Sequence, residues 1–332
     1  MRSHKGCVLP GTIAVKSYPF VYQDQRPAEV AILLGLCNGA QYLRAQLASL
    51  AAQSHGAWSL LVSDDGKDDG SVGIIRDFAL GHPARSIRIV AGPQAGFSRN
   101  FLGLLERCPD KAPFAAFCDQ DDVWLPGKLT RAIAALAPVG DAPALYCGRT
   151  FITDAGLRIN GLSPRFGRPP GFANALVQSI AGGNTMVLNR AAIVLLRRAA
   201  AGVGPVPSHD WWAYQIVTGA GGRVIYDAMP MVLYRQHAGN LVGANTGCGA
   251  RAARLRRLLS GDMARWSDQN IAALHHAWPL LTPQAQGDLA GFAQIRKRPV
   301  LTRLGRLAGS GLYRQTGAGT GALWLASALG RL

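Results

Sequence analysis

The stretch 113-PFAAFCDQDDVWLPGKL-129 runs from an apolar segment into three carboxylates, Asp119, Asp121 and Asp122, within four residues. A short apolar run ended by polar punctuation predicts a buried strand. Pro126, with periodic apolar residues behind it, predicts a helix start. The acids therefore fall at the carboxyl end of a strand. Like charges this close repel, and a bare buried carboxylate is costly. A hard divalent cation, Mg2+ or Mn2+, removes that repulsion and keeps positions open for phosphate oxygens. The plainer alternative is a solvated turn, with Asp122 as a helix cap.

Upstream, 29–37, 58–63 and 86–91 read as strands, and 40–53, 71–80 and 98–107 as helices; 127–136 continues the series. Strand and helix alternate, which predicts an α/β fold around a mostly parallel sheet with helices on both faces. Ligands bind such sheets outside the carboxyl ends of the strands. A second acidic stretch, 64-DDGKDDG-70, falls at the same end. Its Asp-Gly pairs also suit ordinary turns, and its spacing is wrong for a calcium loop. Beyond 140 the pattern loosens. Short strands are expected at 142–147, 184–189, 223–228 and 231–236, and helices at 190–201 and 209–218. The Pro-, Gly- and Arg-rich 160–171 predicts a mobile loop. After 245 come helical segments, including 251-RAARLRRLL-259.

The 332 residues are 48% apolar and 16% charged, enough for a sizeable core and unlike a disordered chain. Lys and Arg outnumber Asp and Glu by 35 to 19. From 246 to the end, twelve Arg and Lys face three Asp, so much of the surplus is local. Such a patch suits an acidic partner: nucleic acid, an anionic membrane or phosphorylated substrates. Six Cys without CxxC spacing read as reduced thiols. No run is long and apolar enough to span a bilayer, which leaves surface attachment open.

The ordered set NG-x-x-YL (38–43), Q-x-x-SL-x-x-Q (46–53), SDDG (63–66), DQDDVW-x-x-x-KL (119–129), HDWW (209–212) and YRQH-x-x-N (234–240) resembles the family 2 glycosyltransferases. It is most similar to their rhamnosyltransferase-like branch. The resemblance covers about residues 29 to 245 and implies the GT-A, nucleotide-diphosphosugar transferase fold. The implied organisation is an N-terminal extension at 1–28, a catalytic domain at 29–245 and a basic helical region at 246–332. On the family pattern Asp64 and Asp65 lie against the nucleotide base and ribose, and Asn38 is a substrate-binding position. Asp119 and Asp121 form the metal and sugar-diphosphate site. Asp210 matches the catalytic base, and His237 matches a metal or diphosphate ligand of some relatives. Gly183 and Asn184, in 182-GGNTM-186, match a stretch lining the donor-sugar and acceptor site. Arg235 suits the diphosphate. Of Trp211 and Trp212, one is expected in the core and the other against an acceptor sugar. His209 reads as structural, and Asp210, at a helix start, also suits a cap. Gly35-Leu36-Cys37, Lys67-Asp68 and Asn184 depart from the usual family residues, the first two at the nucleotide base.

The implied reaction is an inverting displacement. Asp210 takes the acceptor's proton, and a cation at Asp119 and Asp121 stabilises the leaving diphosphate. A cytoplasmic enzyme that extends a cell-surface polysaccharide is expected, with a nucleotide-sugar donor, a saccharide or lipid-linked acceptor and peripheral contact with the inner membrane face. Two other classes stay open. Paired acids with Mg2+ also suit a nucleotidyltransferase, and the charge suits nucleic-acid binding, although no motif for the latter is present.

Overall fold

A computed structural model describes residues 28–239 and 261–332. Nearly all of the expected N-terminal extension, the arginine-rich 251–259 and Asn240 lie outside these residues.

β1 (Val30–Leu36) is a continuous apolar run. Five of its Val, Ile and Leu side chains are wholly buried, each contributing about 2 kcal/mol. Asn38 takes a left-handed backbone (φ 52°) and turns the chain into α1 (Ala40–Ala51). β2 (Trp58–Asp64), α2 (Ser71–Gly81), β3 (Ile87–Ala91), α3 (Phe97–Glu106) and β4 (Phe114–Asp119) follow in alternation. β5 (Val123–Trp124) and α4 (Lys128–Leu136) lead to β6 (Ala144–Gly148), β7 (Phe151–Thr153) and β8 (Ile159–Leu162). The short α5 (Phe172–Ala175), β9 (Val187–Asn189), α6 (Arg190–Ala200), α7 (His209–Gly219), β10 (Arg223–Asp227) and β11 (Val232–Arg235) complete this part. Four helices end the chain: α8 (Asp262–His276), α9 (Pro283–Arg296), α10 (Val300–Ala308) and α11 (Gly317–Ala328).

Seven strands form one sheet in the order β10-β6-β9-β4-β1-β2-β3, parallel except for β9. The strand order reverses at β1. Gly35 pairs with Asp119 on one side of β1, and Leu36 pairs with Asp64 on the other. Both acidic stretches thus leave the same end of the sheet at the switch point, where such folds bind ligands. A second sheet, β5-β11-β7-β8, sits beside this end.

Alternate strand residues feed two apolar cores, as the two-residue strand period dictates. Ile32, Leu34 and Cys118 join the layer with α1 and α4. Ala31, Leu33 and Phe117 join the layer with α3, α6 and α7. This second core continues into the C-terminal helices through Leu274, Leu289, Phe292, Leu307 and Leu323. Their inner faces are therefore part of the core, unlike a solvated appendage. The expected mobile loop is also tied down. Arg168 N donates to Gln315 Oε1 (2.9 Å), and Gln315 Nε2 returns a bond to Arg168 O (3.1 Å). The Arg168 guanidinium stacks over Tyr313 at 4.0 Å.

Candidate active site

The acids after β4 part company. Asp122 is fully buried. Its carboxylate accepts from Asn184 Nδ2 (2.6 Å) and from the Arg235 backbone N–H (3.1 Å). It caps no helix: Gly127 occupies the N-cap of α4. Burial, with the charges of Asp119 and Asp121, pushes its carboxyl well above the usual range against those hydrogen bonds. Asp121 Oδ2 accepts from His237 Nε2 at 2.9 Å, and the His237 ring lies 4.6 Å from that of Tyr42. Asp119 is pushed up to about 7 by burial and by the charges of Asp121 and Asp210, although Lys128 opposes this. Its surface stays partly open to the cleft, so water screens part of that rise.

Polar residues of α1 and of the turn after it hold the loop that carries these acids. Gln46 and Ser49 of α1, and Gln53 two residues past its end, are buried. With its amide oriented to satisfy its neighbours, Gln46 donates to Asp122 O (2.6 Å) and accepts from Trp124 Nε1 (3.3 Å). Trp124 N donates to Ser49 Oγ (3.1 Å). Gln53 donates to Leu125 O (2.9 Å) and accepts from Leu129 N (3.2 Å). The motif Q-x-x-SL-x-x-Q is thus a clamp on the motif DQDDVW. Gln120 adds a bidentate pairing with the Cys37 backbone, donating to its carbonyl (2.9 Å) and accepting from its N–H (2.7 Å). Beneath the loop Lys128 is 1% exposed, with Nζ 3.2 Å above the Trp124 ring and no hydrogen-bond partner among the described residues. Burial drags its ammonium down to about 7, against the charges of Cys118, Asp122 and Asp119. The sequence reading assigned no role to Gln46, Gln53, Gln120 or Lys128. Their spacing within the quoted motifs was the available signal.

Asp210 lies in the first turn of α7, where Ser208 is the N-cap. Its carboxylate accepts from Gly183 N (3.0 Å), Trp211 N (2.6 Å) and the Ser208 hydroxyl. A Cβ at Gly183 would stand 2.7 Å from His209 Nε2, so the close approach needs glycine. His209 is structural as expected. It stacks on Phe101 (4.0 Å) and meets Phe117 edge-on, and burial lowers its pKa to about 4. Trp212 is the core tryptophan. Trp211 keeps partial exposure, and its Nε1 donates to Ala175 O (2.6 Å).

Arg235, expected against the diphosphate, braces the acidic loop. It is 5% exposed and donates to Asp121 O (2.7 Å) and Ala155 O, and its guanidinium lies 4.5 Å over the Tyr42 ring. Asn184, expected at the donor sugar, is committed to Asp122. At the β2 end, Asp65 accepts from Gln94 N, Asp64 from Gly66 N (3.2 Å) and Asn38 Oδ1 from Lys67 N (3.0 Å). These bonds shape the nucleotide-side wall that the resemblance implies.

Among the described residues, no three His, Cys, Asp or Glu side chains form a ready-made metal cage. The donor set nevertheless fits a hard cation whose shell the ligand completes. Asp119 and Asp121 offer oxygens at the cleft, and their mutual repulsion is the kind a divalent ion relieves.

The family model for glycosyl transferase family 2 matches residues 32–200, 169 of the 332. The dTDP-rhamnosyl transferase RfbG of Shigella flexneri is 27% identical over 229 residues, covering 66% of this chain and 76% of that protein. The structure of S. aureus TarS 1–349 in complex with UDP-GlcNAc shares the fold with a TM-score of 0.51 at 14% identity, covering 85% of this chain and 89% of that one. The family match supports the glycosyltransferase reading over the nucleotidyltransferase one. With its parallel sheet, switch-point acids and helix-borne Asp210, the chain belongs to glycosyl transferase family 2 and is a glycosyltransferase of the GT-A fold.

Proposed function

We propose that the protein moves a sugar from a nucleoside-diphosphate donor to an acceptor hydroxyl by inverting displacement, in the building of a cell-surface polysaccharide. The observation that carries this is a single turn at Gly183–Thr185. Its Gly183 N–H orients Asp210, and its Asn184 amide holds Asp122 in the acidic loop. A base and a diphosphate site are thereby set across one cleft.

Asp210 removes the acceptor's proton as that oxygen forms a bond to the anomeric carbon. The bond from that carbon to the diphosphate breaks, and the nucleoside diphosphate leaves. Oδ1 is taken up by Ser208 and Trp211, whereas Oδ2, with Gly183 N as its donor, keeps lone-pair capacity for the acceptor's proton. The hydrogen bonds from Gly183, Ser208 and Trp211 fix the carboxylate's direction, which is the positioning part of catalysis. Asp119 and Asp121, with His237 at Asp121, would hold Mg2+ or Mn2+. When bound, the ion supplies charge stabilisation to the leaving diphosphate. Asp64, Asp65 and Asn38 border the nucleotide, and Trp211 borders the acceptor. The likeness to RfbG supports rhamnose from a dTDP donor, and the surplus of basic residues supports a lipid-linked acceptor at the cytoplasmic membrane face.

The test is a panel of nucleotide sugars, each incubated with the protein and Mn2+ and followed by nucleoside-diphosphate release. NMR of the product reads the anomeric configuration. Release from dTDP-rhamnose with inversion is expected. Retention of configuration, or pyrophosphate release from a nucleoside triphosphate instead, overturns the proposal.

A further inference from the structure

Helix α11 has no charged residue, and its sequence, GAGTGALWLASA, is apolar or small nearly all round. Such a helix is ordinarily buried on every side. Here only one side is. Leu323, Ala326 and Ser327 face the core, whereas Trp324, Leu325 and the following Leu329 are 36%, 48% and 50% exposed. α10 packs beside α11 and exposes Val300 and Leu301 (87%) in its first turn. These five residues are half of the large exposed apolar side chains among the described residues. One guanidinium joins the two ends: Arg303 donates to Arg298 O and to Ser327 O. The start of α10 and the end of α11 therefore lie side by side, and each carries exposed apolar side chains there.

The facet's surroundings are mainly basic. After Asp288 the chain contains no acid and seven bases, of which Lys297, Arg298, Arg306 and Arg331 are exposed, and the exposed Asp268 of the neighbouring α8 is paired with Arg296. A protein partner would have to match both an apolar centre and a mainly positive rim. An anionic lipid surface offers that combination intrinsically, with acyl chains below and negative headgroups at the level of the bases.

The facet is also tied to the acceptor wall. The segment between α10 and α11 docks on 168–178: Asn174 Nδ2 donates to Tyr313 O (2.9 Å), and Gln315 N donates to Gln178 Oε1 (2.8 Å). Ala175, in the same short helix, accepts from Trp211 and Gln215 of α7, the helix of Asp210.

We propose that the exposed face of α10 and α11 seats the protein on an anionic bilayer, with Leu301, Trp324, Leu325 and Leu329 entering the headgroup layer and Lys297, Arg298, Arg306 and Arg331 meeting lipid phosphates. This deepens the reading above and rests on it for its purpose, which is to bring the acceptor wall to a lipid-borne substrate.

The test is cosedimentation of the full chain with phosphatidylcholine vesicles, with and without phosphatidylglycerol, at low and high salt. Wild type is expected to bind only the anionic vesicles and to be released by salt. Leu301→Glu with Leu325→Glu, and separately Arg298→Glu with Arg306→Glu, should each lower the partition about tenfold. Their thermal unfolding should match wild type, since all four side chains are exposed. Asp210→Asn should bind vesicles like wild type, because seating is independent of transfer. Wild type left in the supernatant, or both pairs of variants binding like wild type, overturns the proposal. So does a solution dimer that Leu325→Glu dissociates, which would assign the facet to a second copy.

Discussion

Helix α1 buries polar side chains, and helix α11 exposes apolar ones. Each breaks the rule that apolar residues go inside, in opposite directions. In α1 the inward Gln46 and Ser49, joined by Gln53 just past its end, find partners in the backbone of the loop after β4. Their burial is affordable because nearly every donor and acceptor is matched. In α11 the outward Trp324 and Leu325 have no partner to match, because dispersion and hydration are not directional. The polar exception fixes a geometry; the apolar exception offers a surface. Substitutions at the first should therefore disturb chemistry and stability, whereas substitutions at the second should leave the isolated fold alone.

The sharpest way to break this contrast lies in the polar interior. Asp210→Asn keeps the shape of the side chain but cannot take up a proton. Turnover should fall by roughly 10²–10⁴ in nucleoside-diphosphate release, with donor affinity unchanged in a thermal-shift titration. An Asn variant that turns over like wild type removes Asp210 from the role of base.

Next comes pH. His209 titrates near 6.5 in an unfolded chain and at about 4 in the folded one. Between those values the unfolded chain binds a proton that the folded chain does not. Stability is therefore complete above pH 6.5 and declines as pH falls toward 4, by up to ~3 kcal/mol from this group. His209→Phe keeps the stack on Phe101 and removes the titration. Urea unfolding at pH 7 and pH 5 should show a shallower loss for the variant. An identical slope would mean that the imidazole is not held neutral.

Gln53→Leu strips the clamp of one donor and one acceptor, leaving Leu129 N unmatched and Leu125 O with Lys128 N as its remaining donor. A cost of about 1–3 kcal/mol is expected in the same unfolding assay, with weaker donor binding as the acidic loop loosens. The smallest effect belongs to α11. Leu325→Ser should change stability by less than about 0.5 kcal/mol. A loss comparable to that of Gln53→Leu would show that the exposed face is sealed by the protein itself, and the comparison of the two helices would collapse.

The succession of β1, β2, β3 and β4 with their helices was legible because these strands are short apolar-rich runs, closed by Asn-Gly after β1, Asp-Asp-Gly after β2 and the acids at 119–122 after β4. Of the second sheet only β11 was, in the strand expected at 231–236. β5 has two residues and β7 three, and β8 is exposed throughout, so no two-residue alternation could mark them. The acids of the site were legible as a cluster, but their division of labour was not. Asp122 looks like its neighbours in sequence and is distinguished only by Asn184 and Arg235, 62 and 113 positions away. Composition misread 160–171 for the same reason: proline and glycine suggest freedom, and only Tyr313 and Gln315 reveal the tether.

The antiparallel β9, wedged between parallel neighbours, enters the sheet from the turn at Gly183–Thr185. Two adjacent residues of that turn grip opposite banks of the cleft, Gly183 the helix side and Asn184 the strand side. The gap across which a sugar must pass is thus gauged by one peptide unit, ~3.8 Å from Cα to Cα. If α7 drifts from β4 as the protein breathes, both banks feel the same short ruler and shift in step.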